Sequence, residues 1–143
     1  MKEIRDRLAI NIDIKFHSEF ENLKKDSDQS YLDRPFEDFR EVFLTAAIIG
    51  AANDAYMPID SKKIKIFDSN VFNEHFDLPL LYTIAFCKEE NPELLSDEKY
   101  ILKIVEGFAN GGFPVLIDQI KNGSSSTLMN LAIQIKELIE NQS

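Results

Sequence analysis

The sequence predicts a mainly α protein: a single helical domain of five to six helices with an N-terminal β-strand, and a candidate second, short strand. Three observations predict it. From Pro35 onward, apolar residues recur at three- and four-residue steps in several separate stretches, the spacing of helix faces. Leu8, Ile10, Ile12, Ile14 and Phe16 alternate with Ala9, Asn11, Asp13, Lys15 and His17, the one clean period of two in the chain. The 143 residues are 44% hydrophobic and include eleven Phe, enough for one core without disulfides.

In chain order, the alternating run Leu8–Phe16 reads as a half-buried strand with Ala9, Asn11, Asp13 and Lys15 facing out. Phe16–Lys25 follows as a short helix with Phe16, Phe20 and Leu23 on one side. Asp26-Ser27-Asp28-Gln29-Ser30 is a polar break, so residues 1–30 read as a strand–helix arm and residues 31–143 as the helical core domain. Pro35–Asn53 is the central helix. Pro35 suits a first helical position, Glu37 and Asp38 complement the helix dipole, and the uncharged run Ala46–Ala52 predicts burial on every side.

Beyond the turn-rich exit Asn53–Pro58, Lys62–Phe67 is the candidate second strand. Asp77 is placed to cap a helix over Leu78–Lys88. Ser96 or Asp97 opens another helix, closed by Gly111. Pro114 opens the next, which Gly123 ends. Ser124–Thr127 offers caps for a last helix with the stripe Leu128, Leu131, Ala132, Ile135, Leu138 and Ile139.

Charge narrows the function classes. The chain carries 16 basic and 25 acidic residues, net -9, and such a body repels phosphate backbones. The imbalance is uneven: residues 1–25 hold six basic and five acidic residues, so the acidity lies beyond them. The single Cys87 excludes an intramolecular disulfide, and its apolar run predicts a buried, inert thiol. No run of 18 apolar residues and no signal-peptide pattern is visible, which predicts a cytoplasmic location and no membrane.

Motifs that carry chemistry are sparse. Asp68, Glu74, His75 and Asp77 gather in DSNVFNEHFD, but their spacing fits no metal template. Ser124–Ser126 have no His nearby in sequence and read as helix caps. Glu89-Glu90 and Asp97-Glu98 read as solvated acids, and Lys62-Lys63-Lys65 as a solvated basic cluster. Asn110-Gly111-Gly112 lacks the Lys-Ser/Thr of a phosphate loop, and a helix stop at Gly111 accounts for it. No catalytic, cofactor or metal residue is assigned.

Three segments, RPFEDFREVFLTAAIIGAAND, IFDSNVFNEHFDLPLLYTIAF and ILKIVEGFANGGFPVLIDQI, follow one another over Arg34–Glu140. In them the chain resembles the DNA phosphorothioation-associated protein 4 family, small proteins encoded beside bacterial Dnd-type sulfur-modification and restriction systems. The resemblance implies a genome-defence accessory and carries no catalytic signature. The expectation is therefore a non-enzymatic accessory or regulator of a DNA-modification or anti-phage system, acting through protein–protein contacts with partners from that system.

The expected contact element is the N-terminal strand, through Asn11, Asp13, Lys15 and His17. Unpaired strand edges recruit another strand, and pairing with a second copy would give a twofold homodimer. The alternative is a dimeric, ribbon-helix-helix-like DNA-binding regulator with Asn11 and Lys15 reading bases.

Overall fold

One helix runs through the middle of the described residues and the other described elements are packed around it. The computed structural model describes residues 8–23, 38–60 and 62–123, together with Ile135. In these residues the elements are β1 (Ala9–Asp13), α1 (His17–Leu23), α2 (Phe39–Ala52), β2 (Lys63–Asp68), α3 (Asp77–Phe86) and α4 (Glu98–Gly123), with 3-10 turns at Ile14–Phe16, Ser69–Val71 and Leu94–Ser96. The fold is mainly helical, as expected. The break at 26–30, the division at residue 30, Pro35 itself, the Ser124–Thr127 caps and the last helix lie outside the described residues, Ile135 alone excepted. The start expected at Pro35 moves to Phe39, because Asp38 is extended (φ -155°, ψ 176°) and caps the helix with its side chain.

α4 is the central helix. It joins what the sequence reads as two helices, because neither Gly111 nor Pro114 ends it. Neither Gly111 nor Gly112 has a positive φ, so neither acts as a helix stop. Both are there for close approach. A Cβ on Gly112 would overlap the Ala46 carbonyl oxygen and the Gly50 backbone. One on Gly50 would overlap the Phe108 carbonyl. α2 and α4 therefore cross backbone to backbone, with Ala46, Ala47, Ile49, Phe108 and Ala109 buried around the crossing. The Glu98–Gln119 part of α4 has the length and mean hydropathy (1.2) of a membrane span, and 67% of its apolar window is buried inside the molecule.

α2 starts at Asp38, whose Oδ1 accepts the Glu41 N–H at 3.0 Å, a local cap that fixes the entry of the helix. It ends in a Schellman arrangement: the Ala55 N–H donates to the Gly50 carbonyl at 2.7 Å and the Asp54 N–H to Ala51 at 3.3 Å, with Asp54 left-handed at φ 52°. α3 lies against α4 with Leu78, Leu81, Ile84 and Ala85 buried.

The lone strand expected at the N-terminus has a partner in its own chain. β1 pairs antiparallel with β2, Ala9 opposite Asp68 and Asp13 opposite Lys63. The register shifts between Ile10, opposite Phe67, and Asn11, opposite Lys65, which leaves Ile66 as the extra residue of a bulge. Strict alternation would send Phe67 outward with Lys63 and Lys65. The bulge turns it inward, edge-on to Phe43 at 5.8 Å and to Phe72 at 5.4 Å.

β1 is also shorter than the alternating run. Asp13 accepts the Lys15 N–H at 3.0 Å and caps a 3-10 turn where the strand was expected to continue. Ile10, Ile12 and Phe20 belong to the same buried cluster as α2 and α4, and Phe20 stacks on Phe113 at 4.2 Å.

Candidate ligand cleft

The residues expected to face a partner do not form one surface. Asn11 is half-buried and turned to α4, where its N–H and its Nδ2 both donate to Glu106 Oε2, at 2.7 and 3.2 Å. Asp13, expected outward, is 1% exposed, because capping the turn draws its carboxylate in. Lys15 is exposed, with its Nζ 3.8 Å from Asp13 Oδ2 and 5.2 Å from the Phe16 ring centroid. His17 Nδ1 lies 3.3 Å from Glu21 Oε1, one turn along α1.

The four acid and His positions of DSNVFNEHFD are likewise dispersed. Asp77, the first residue of α3 rather than its cap, is 1% exposed. Its Oδ2 accepts from Arg40 Nη1 at 2.8 Å and from the Asn73 N–H at 2.7 Å, so it ties α3 to α2. Asp68 pairs with Lys65 at 2.9 Å, and Glu74 and His75 are exposed. Among the described residues no group of three or more His, Cys, Asp or Glu is placed to hold a metal ion. Cys87 is half-buried, not fully buried, and its Sγ lies 3.5 Å from the Thr83 carbonyl. Burial and the nearby Asp54 push its thiol pKa up, which lowers its thiolate fraction.

What the structure does bring together is a cleft of about 390 Å³ at the N-terminal half of α4. β1 and the residue before it give one wall through Leu8, Ala9 and Asn11, and β2 contributes Lys63. Tyr56, Pro58 and Ile59, from the chain leaving α2, give the opposite wall, while Lys99, Leu102, Lys103 and Glu106 of α4 form the floor.

Two α4 glycines seat the Tyr56 wall. A Cβ on Gly111 would overlap the Ala55 carbonyl oxygen, and one on Gly107 would press into the Tyr56 ring. The segment is then tied down by the Met57 N–H donating to the Gly107 carbonyl at 3.0 Å and by Asn110 Nδ2 donating to the Met57 carbonyl at 2.9 Å. The sequence Asn110-Gly111-Gly112 is thus a docking step for backbone, which explains both glycines without a phosphate.

The cleft gathers positive charge in an acidic chain. Lys63, Lys99 and Lys103 are exposed along it, and a fourth ammonium, Lys88 Nζ, lies 4.5 Å from the Tyr56 ring centroid. Glu106 is the one carboxylate of the lining among the described residues. Burial pushes its pKa above the usual range, while the two Asn11 hydrogen bonds and the Lys63 charge pull it back down. The arrangement offers ammonium groups to an anion, and an amide and a carboxyl to hydroxyl or amine groups. Among the described residues the lining has no Ser, Thr, Cys or His to act as a nucleophile. Another hollow, of about 330 Å³ by Phe16, Phe113 and Pro114, is lined by Glu19 and Asp118 and, among the described residues, by no cation.

Sequence reasoning singled out Asn11 but missed Glu106, Lys99, Lys103 and Tyr56. A signal was present: Lys99, Lys103 and Glu106 stand at i, i+4 and i+7, a polar stripe on an otherwise apolar helix. Lys63, taken as merely solvated, stands at the cleft mouth.

No curated protein and no solved structure matches the chain. A family does match, over residues 14–143, a longer span than the Arg34–Glu140 of the resembling segments and one that begins just beyond β1. With that span covered, the chain belongs to the DNA sulphur modification system-associated protein 4 family.

Proposed function

We propose that this protein is a non-enzymatic, cytoplasmic accessory protein of a bacterial DNA sulphur modification system, acting by contact with another protein of that system. The observation that carries the reading is the family match over residues 14–143, whose description is of an associated protein. A second feature supports it. The connection between β2 and α3 exposes Phe76 at 73% and Val71 at 49%, and exposed aromatic side chains are frequent anchors of protein interfaces. Strand pairing with a second copy has less support, since β1 is paired with β2 and its Asn11 N–H is taken by Glu106.

The test is co-purification of the full chain with each protein of its sulphur modification system, for the wild type and for Phe76→Ser. The expected result is a stable complex with one of them, weakened about tenfold or more by the substitution. No complex with any of them would overturn the reading. So would sulphur modification and restriction that are unchanged when the protein is absent.

A further inference from the structure

We propose that the cleft between β1, the Tyr56–Ile59 segment and α4 binds a small phosphate monoester whose organic body carries hydroxyl groups, a nucleoside monophosphate being the chemistry that fits. This goes beyond the accessory role above and does not depend on it.

The argument starts from charge. In a chain of net charge -9, lysines placed at random would lie among acids, yet Lys63, Lys99 and Lys103 converge on one concave site from β2 and α4. Among the described residues Lys99 and Lys103 have no ion pair or side-chain hydrogen bond and Lys63 has only the nearby charge of Glu106, whereas the neighbouring Lys65 is engaged by Asp68 at 2.9 Å. Like charges brought together repel, and an anion bound between them removes that cost. A phosphate monoester, with up to two negative charges and three acceptor oxygens, matches three ammonium donors.

The volume and the walls define the rest of the ligand. About 390 Å³ exceeds what inorganic phosphate needs and falls within the range of about 300–1,000 Å³ found for small-molecule sites. Leu8, Pro58, Ile59 and Leu102 give an apolar wall for an organic body. Among the described residues Glu106 accepts from Asn11 through Oε2, which leaves Oε1 to accept a ligand hydroxyl. That carboxyl would repel a phosphate brought against it, so the phosphate belongs beside the lysines and the hydroxyls beside Glu106. A long polyanion fits less well than a small one, because the attraction is confined to the lysines of the cleft while the body as a whole repels it.

The test is titration calorimetry of the full-length protein with adenosine 5′-monophosphate, adenosine and a duplex oligonucleotide, with thermal shift as a second readout. The expected result is saturable binding of the monophosphate, no binding of adenosine, and a loss of roughly tenfold in affinity for Lys103→Ala or Lys63→Ala. Both side chains are exposed, so unchanged melting temperatures without ligand would show that the variants fold. Lys103→Arg should keep most of the affinity. Absence of binding at millimolar monophosphate, or binding unaffected by either alanine variant, would overturn the assignment. Equal or tighter binding of the duplex, lost in the same variants, would transfer the site to nucleic acid and overturn the small-ligand proposal.

Discussion

Asp54 occupies the C′ position of α2 with φ 52°, a conformation that costs an L-residue about 1–2 kcal/mol. It also sets a carboxylate at the negative end of the helix dipole. Glycine removes both disadvantages and adds back about 0.5–1 kcal/mol of unfolded-state entropy. Asp54→Gly should therefore stabilise the protein by about 0.5–1 kcal/mol, seen as a higher urea midpoint with an unchanged slope. Glu106 makes a prediction of the opposite kind. Its carboxyl is held above the usual range by burial, so the folded state binds its proton more tightly than the unfolded state does. That contribution to stability is complete below the unfolded value and is lost as pH rises through the folded one. Glu106→Gln keeps an acceptor for Asn11 and has no proton to lose. The melting temperature of the variant relative to wild type should thus climb as pH rises above the ordinary glutamate range. A difference independent of pH would show that burial does not perturb this group.

At the scale of elements, the α2–α4 crossing makes its own prediction. Replacing glycine by alanine inside a helix ordinarily gains about 1 kcal/mol. At Gly112 the new methyl group would meet the Ala46 and Gly50 backbone, which has no rotamer to give way. Overpacking should win, and Gly112→Ala should destabilise by about 3 kcal/mol or more. At Gly107 the obstacle is the Tyr56 ring, which can swing aside, so Gly107→Ala should lose less stability; urea melts of the two variants would rank them. The same crossing shows what was legible in the sequence. The strand positions Ile10 and Ile12 were readable because a period of two has one structural meaning, and the faces of α2 and α3 because their spacing is local. The union of two expected helices into α4 was not. Gly111, Gly112 and Pro114 punctuate the chain locally, and only the neighbours that press on the glycines show that they serve packing. Asn11 reads as an outward residue from the alternation, yet it is turned to α4, because its partner Glu106 stands 95 residues away and no periodicity links the two.

For the molecule as a whole, the N-terminal strand and helix contribute to the core. Ile10, Ile12 and Phe20 are at most 3% exposed, and burying three such side chains is worth about 5–9 kcal/mol, comparable to the whole stability of a domain. A chain beginning at residue 24 should therefore show no cooperative thermal transition, and a sharp melt near that of the full chain would contradict this. The β1–β2 pairing has a further consequence during synthesis. Asp13 must wait for Lys63, and Asn11 for Glu106. At about 5–20 residues per second, a ribosome leaves the strand without its partner for several seconds. Through that interval Ile10, Ile12 and an open backbone edge are exposed together, so β1 is a stretch that a chaperone would engage and that a stalled chain would present for aggregation.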